Sequence, residues 1–314
     1  MEFITSPPSQ SVVAAGLNEQ LSYINQSMST YIADSELMKL NKTAKVGHCF
    51  EVSEELFGLI KQAKAVAAQT NNAYDVTVGP LVDLWGFGPT QQAVTVAQLT
   101  RWKPPTRAEV DTVRAQVGFD AVTLHQVKQC VTFAKPVQLD LSSIAKGYGV
   151  DRLTQHLREL GFTRSLVEIG GEVFAQGEKP RPRPWLKAQP WQIGIERPNG
   201  EIQTIQSIAL RNQGVATSGD YRNYRESKGQ RYSHIIDPRT GEAKPKTLHS
   251  VSVVHESAAL ADAWATALMV LGEHEAKQLA KRLQLKVLLV FESKTDQGLQ
   301  TWASDHFALS NLDP

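Results

Sequence analysis

The chain has 314 residues, 41% of them hydrophobic and 21% charged, with 33 basic against 32 acidic side chains and a formal charge of +1. That length permits one large domain or two lobes with an ample apolar core, and the even charge balance excludes a chain-wide positive field for holding nucleic acid or an anionic membrane. No stretch reaches the roughly 18 consecutive apolar residues that a membrane-spanning helix needs.

Residues 1–9 lack the basic and apolar regions of a signal peptide. Residues 1–11 are therefore expected to be a disordered tag or leader ahead of one two-lobed domain over 12–312. Within 12–32, Val13, Leu17, Leu21 and Ile24 recur at helical spacing. A second helix is expected over 53–71, with Ser53 as cap and Leu56, Ile60, Ala63 and Ala67 on one face. The Gly- and Pro-rich run 79–89 reads as a packed loop, and 98–118 as loop followed by a helix from near Thr106. Strands are expected over 121–125 and 131–139, then a helix opening near Ser142 or Ser143 and closing at Gly161, a residue suited to the left-handed helix end. Strands follow over 165–176, 191–197, 206–211, 215–220, 231–236 and 249–255. Between two of them, 178–190 carries four prolines and reads as an irregular excursion. A long helix over 258–283, a strand over Lys286–Glu292 and a last strand around Thr301 complete an α+β pattern with helices early and strands late. Cys49 and Cys130 are too far apart for a metal knuckle. Buried thiols are the expectation, with one disulfide as the alternative.

Four groups of residues can carry chemistry. Asp140, Ser142, Ser143 and Lys146 sit where a strand hands over to a helix, a junction whose free N–H groups and dipole favour an anion. An ordinary capped helix, with either serine as cap, is the competing account. Asp262 and Thr266 are four apart, hence on one face of a helix, among small apolar neighbours. A buried carboxylate needs a partner, and a hard cation with oxygen ligands would satisfy both groups and suit bridging to phosphate. Alternatively, Asp262 serves the helix dipole and Thr266 bonds back to a carbonyl. His234 precedes the strong turn signal Asp237, Pro238, Arg239, Thr240, Gly241 and is either a general base or a structural histidine. Finally, Gly170 and Gly171, and the loop with Thr217 and Ser218, would let backbone and hydroxyls approach a ligand. Met28 to Tyr31 and Ala73, Tyr74 and Asp75 place aromatics beside polar groups.

Taken in order, these blocks resemble the ApbE-type family, the FAD:protein FMN transferases, over about residues 15–300. The Asp140-Leu141-Ser142-Ser143 block with Lys146-Gly147, and His234-Ile235-Ile236-Asp237-Pro238, are its most specific parts. The resemblance implies FAD in a cleft between two lobes of an α+β fold. FAD-contacting residues would be Met28, Tyr31, Ala73, Tyr74, Asp75, Asp140, Lys146, Thr217, Ser218 and Ile236. Magnesium would be held by Asp262, Thr266 and the carbonyl of Ser143, at a site where some relatives add an Asp at the position of Ala265. Lys146, His234 and Asp262 would be catalytic. The implied acceptors are flavoprotein subunits of membrane redox complexes, such as a Na+-translocating NADH:quinone oxidoreductase. The implied location is the periplasmic side of the inner membrane, with a lipid anchor. Relatives usually begin with a strand bearing a Thr-Met-Gly-Thr-like block, which is not seen before Val12, so a weaker FAD site or an uncovered sheet edge is expected. An FAD pyrophosphatase and a non-catalytic flavin-binding protein are the rival readings.

Overall fold

A computed structural model describes residues 8–88, 102–180, 183, 185, 187–198, 203–221, 223–243, 247–293, 298–307 and 309–310. Residues 1–7 of the expected 1–11 leader, the loop at 98–101 and positions 181, 182, 184 and 186 of the proline-rich excursion lie outside them, and of the rest of the leader Ser9 caps a helix that opens at Gln10.

The first half is mostly helical: α1 (Gln10–Met28), α2 (Glu36–Thr43), β1 (Phe50–Glu51), α3 (Glu54–Gln69), α4 (Gly79–Leu84) and α5 (Arg107–Arg114). Local chemistry starts these helices where it should. The Ser9 and Ser53 hydroxyls accept from backbone N–H groups three residues on, and Thr106 and Glu109 form a reciprocal capping box. The segment expected as loop over 79–89 instead opens with α4, because Pro80 lies in the first turn, where a missing N–H costs nothing.

Strands β2 (Val122–His125) and β3 (Cys130–Phe133) form a small antiparallel sheet with β1. The strand expected to reach residue 139 stops at Phe133. Pro136 cannot donate to a ladder, and the N–H and C=O of Leu139 pair with the Asn41 side chain, each at 2.8 Å. The same sheet overturns the expected thiols. Glu51 pairs with Cys130, which brings Cys49 within reach, and Cys49 and Cys130 form a disulfide with Cα atoms 5.5 Å apart.

Helix α6 (Ala145–Glu159) is followed by β4 (Ser165–Ile169) and β5 (Glu172–Gln176). The single strand expected over 165–176 is this hairpin, because Gly170 and Gly171 take φ of 62° and 103° and reverse the chain. Next come β6 (Trp191–Glu196), β7 (Thr204–Leu210), β8 (Gln213–Gly219), β9 (Tyr224–Ser227), β10 (Gln230–Ser233) and β11 (Leu248–His255). The long helix breaks at Gly272, φ 81°, into α7 (Ala258–Leu271) and α8 (Glu273–Leu283). Strands β12 (Lys286–Glu292), β13 (Leu299–Ala303) and β14 (Leu309–Ser310) close the described chain.

The central element is a six-stranded antiparallel sheet ordered β13-β12-β11-β8-β5-β4. Alternating side chains send opposite faces to different layers. Val173, Ala175, Val215 and Val254 meet Ile195, Ile208 and Leu210 of the β14-β7-β6 sheet. On the other face Val251, Val253, Val287 and Leu289 meet Ala263, Ala267 and Leu268 of α7, in a core continuous with Leu56 and Ile60 of α3.

Two contacts fix α7 against α6. Asp151 of α6 accepts from Ser257 Oγ at 2.7 Å and from the N–H groups of Ala258 and Ala259 at 2.8 and 3.0 Å, capping α7. Gly147, one turn earlier on α6, lies so close that a Cβ there would stand 2.2 Å from the carbonyl oxygen of Ala258.

Candidate active site

A cavity of about 920 Å³ lies where the helical first half meets the sheets. That is the upper end of the range for cofactor-sized ligands. Its wall draws on segments far apart in the chain: Thr30 and Tyr31, residues 73–75, Asp140 to Lys146, the β4–β5 turn, the end of β8, His234 to Ile236, and Asp262 with Thr266.

The strand-to-helix junction is not built as a capped helix. Ile144 precedes α6 with no side-chain cap. Ser142 donates both its N–H (2.9 Å) and its hydroxyl to Asp140 Oδ1, and the Ser143 hydroxyl donates to Tyr74 Oη at 3.0 Å. Neither serine caps the helix, and the first turn of α6 with Lys146 opens on the cavity.

Asp262 is 3% exposed. It accepts from the N–H of Gly147 at 3.3 Å and faces Lys146 Nζ at 3.9 Å. Burial raises its pKa, and Lys146 opposes the rise. Around Lys146, loss of water by itself lowers the pKa, but Asp262 and Glu172 outweigh it and hold the ammonium above its ordinary value. Thr266, one turn after Asp262, shares a 3.1 Å hydrogen bond with Ser218. Thr217 also borders the cavity, but from the opposite face of the strand, its hydroxyl bonding Ser252 at 2.7 Å.

His234 follows β10. Its Nδ1 lies 3.0 Å from the Asn223 carbonyl, which fixes the proton on Nδ1 and leaves Nε2 as the basic nitrogen. Burial lowers its pKa, countered in part by the Asn223 carbonyl and Asp220, while Lys146 pushes further down. Phe87 meets the imidazole edge-on at 6.3 Å. The turn beyond is pinned by Trp85 Nε1 donating to the Gly241 carbonyl at 2.9 Å.

Of the other expected ligand contacts, Ala73, Tyr74, Asp140 and Ile236 border the cavity, as does Tyr31, which is 62% exposed. Two residues of the expected site lie off the cavity wall. Met28, in the last turn of α1, is 3% exposed in the main core, and Thr30 and Tyr31 reach the wall after the chain leaves the helix. Ala265 is fully buried in that core and its methyl offers no donor. Asp75 borders the cavity, but its carboxylate is engaged by Thr77 N–H and Oγ1 (2.7 and 2.6 Å) and by Phe119 N–H (3.0 Å), so it shapes the loop. Glu172 was not foreseen as a site residue. An acid directly after a Gly-Gly turn, opening the apolar strand Val173-Phe174-Ala175, was the available signal.

The ApbE family model matches residues 3–289. The chain belongs to the ApbE family. A FAD:protein FMN transferase of Haemophilus influenzae is 39% identical over 289 residues, covering 90% of this chain and 79% of that protein. The Escherichia coli FAD:protein FMN transferase is 34% identical, covering 93% and 79%. Among solved structures, the flavin transferase ApbE of Vibrio cholerae superposes with a TM-score of 0.82 at 35% identity, covering 96% of this chain and 91% of that one. The apo flavinyl transferase ApbE of Pseudomonas stutzeri gives 0.81 at 33% identity, covering 95% and 88%. Membership in the ApbE family makes the α+β chain an enzyme of the transferase class.

The donor chemistry bears on a metal. Among the described residues no three His, Cys, Asp or Glu side chains cluster as a metal site. The Asp262 carboxylate shares the cavity wall with the hydroxyl-bearing Ser143, Ser218 and Thr266, an all-oxygen set. It fits a hard divalent ion that keeps several waters, as magnesium does.

Proposed function

We propose that this chain is a magnesium-dependent FAD:protein FMN transferase. The observation that carries the reading is the shared cavity wall: a lysine ammonium, a buried carboxylate with a nearby threonine, and a histidine with its Nε2 free, from three separate segments. Asp262, Thr266 and the carbonyl of Ser143 would hold magnesium, which supplies positive charge to the diphosphate. Lys146 adds a second positive charge at the same place, and neutralising phosphoryl oxygens is the main catalytic task in such chemistry.

A Thr or Ser hydroxyl of the acceptor attacks the FMN-side phosphorus. Its proton passes to His234 Nε2, the new P–O bond forms, the bridging P–O bond breaks, and AMP leaves. Tyr31 and Ala73 to Asp75 would flank one ring end of FAD, with Asp140 and Ile236 beside it. The acceptors would be flavoprotein subunits of membrane redox complexes. The Cys49–Cys130 disulfide supports an oxidising compartment, in keeping with a periplasmic, lipid-anchored protein.

Mass spectrometry of an acceptor domain incubated with the protein, FAD and magnesium tests this. Gain of one FMN on a Thr or Ser, AMP release and loss of both with chelator are expected. Free FMN and AMP with an unmodified acceptor would make the enzyme a pyrophosphatase, and intact FAD would make it a flavin binder.

A further inference from the structure

Glu172 is the first residue of β5, directly after the Gly170–Gly171 reversal, and is 3% exposed. Its Oε1 lies 2.5 Å from Lys146 Nζ, while its Oε2 is buried with no hydrogen-bond partner. The hairpin determines where this carboxylate stands. Glu172 pairs with Ile169 across the turn, and the bare Cα of Gly170 faces both Lys146 Cδ and Glu172 Oε2, so a Cβ there would lie 3.5 and 3.6 Å from them. Lys146, by contrast, has a flexible four-carbon stem and a side chain 45% exposed to the cavity. Its ammonium bridges Glu172 and, at 3.9 Å, Asp262.

We propose that Glu172 is a positioning residue that acts through Lys146, holding the ammonium at the cavity wall beside Asp262. A buried carboxylate with one oxygen unmatched is a poor device for stability, since an apolar residue of similar size serves a core better. Its effect falls on the lysine. With Glu172 charged, the ammonium stays where the Asp262–Thr266 pair faces the same space. Without that charge it is free to settle on any phosphate oxygen, which favours the bound ground state over the aligned one. This inference rests on the transferase reading above.

The variants are Glu172→Gln, Lys146→Met and the double variant, with Glu172→Met as an apolar replacement should the glutamine variant fail to fold. FAD affinity is read by flavin fluorescence, and turnover by FMN transfer to the acceptor domain. Glu172→Gln is expected to lower kcat by about 10- to 100-fold, with the Kd for FAD unchanged or lower. The double variant is expected to be no slower than Lys146→Met alone. A kcat within twofold of the parent, multiplicative losses in the double variant, or a raised Kd with a lowered melting temperature would each overturn the proposal. Should the unaltered protein bind FAD and transfer nothing, the transferase reading falls by itself. The Glu172–Lys146 coupling is then read from the Kd values: non-additive shifts support it, and additive shifts overturn it.

Discussion

Burial changes Asp262 and His234 in opposite chemical directions, because in each it disfavours the charged form. For the carboxylate this raises the pKa and makes a cation partner valuable. For the imidazole it lowers the pKa and keeps the base neutral. Asp262→Asn is expected to leave the metal-free melting temperature unchanged or raised, since a costly buried charge is removed. The same variant should lose the stabilisation that added magnesium gives the parent, and FMN transfer should fall by about 100- to 1000-fold. A thermal scan with and without magnesium, beside the transfer assay, checks both. His234→Gln should slow transfer by about 10²- to 10⁴-fold with FAD affinity within a few-fold of the parent. The pH profile follows from the lowered pKa: His234 is protonated and inactive as a base below it. Transfer should therefore rise as pH climbs through a value under 6.5 and stay level above. A rise centred well above 6.5 would assign the base to another group.

At the scale of elements, the α6–α7 crossing sets the distance between Lys146 and Asp262. Gly147→Ala would drive a methyl into the Ala258 backbone, with contacts of 2.2 and 2.5 Å to its oxygen and carbon. Overpacking of this kind costs about 1–3 kcal/mol, and here backbone must yield. Gly58 in α3 is the control: nothing lies within 4 Å of a Cβ there, so Gly58→Ala should stabilise by about 0.5–1 kcal/mol. Urea unfolding of the two variants should give opposite signs, with transfer lost only in Gly147→Ala. This crossing shows how far the sequence can be read. Asp262 and Thr266 could be placed on one face of a helix from spacing alone. The partner helix that supplies Asp151 as a cap lies about a hundred residues earlier, and nothing local announces that pairing.

For the whole molecule, the Cys49–Cys130 bridge closes a loop with a sequence separation of 81 and ties β3 to the start of β1, next to α3. Constraining so long a loop in the unfolded chain is worth about 2–4 kcal/mol. Cys49→Ser with Cys130→Ser should lower the denaturation midpoint accordingly and steepen the slope of the transition, since the unbridged chain unfolds to a more expanded state. Added reductant should reproduce the loss in the parent and leave the double variant unmoved. The cysteine count alone left thiols and a disulfide both open. The register of β1 on β3 decided between them, through backbone hydrogen bonds between residues some eighty positions apart.

What the sequence by itself determined is whatever depends on neighbours within about one turn or one hairpin. The Ser53 and Thr106 caps, the 3.6-residue periodicity of α3, the turn from Asp237 to Gly241 and the bounds of β12 are of this kind. The ordered motifs also carried the family resemblance. What only the tertiary structure decided is everything that needs two distant segments in one place. Met28 and Ala265 turned into the core, Thr217 and Ser218 diverged across a strand, and Ser142 and Ser143 bonded to Asp140 and Tyr74 in place of capping α6. Glu172 reached Lys146 only through the β4–β5 reversal. The physical reason is that helix caps and turns are satisfied by backbone groups a few residues away, whereas a buried charge is matched by whatever side chain the packing of α6, α7 and the sheet brings beside it.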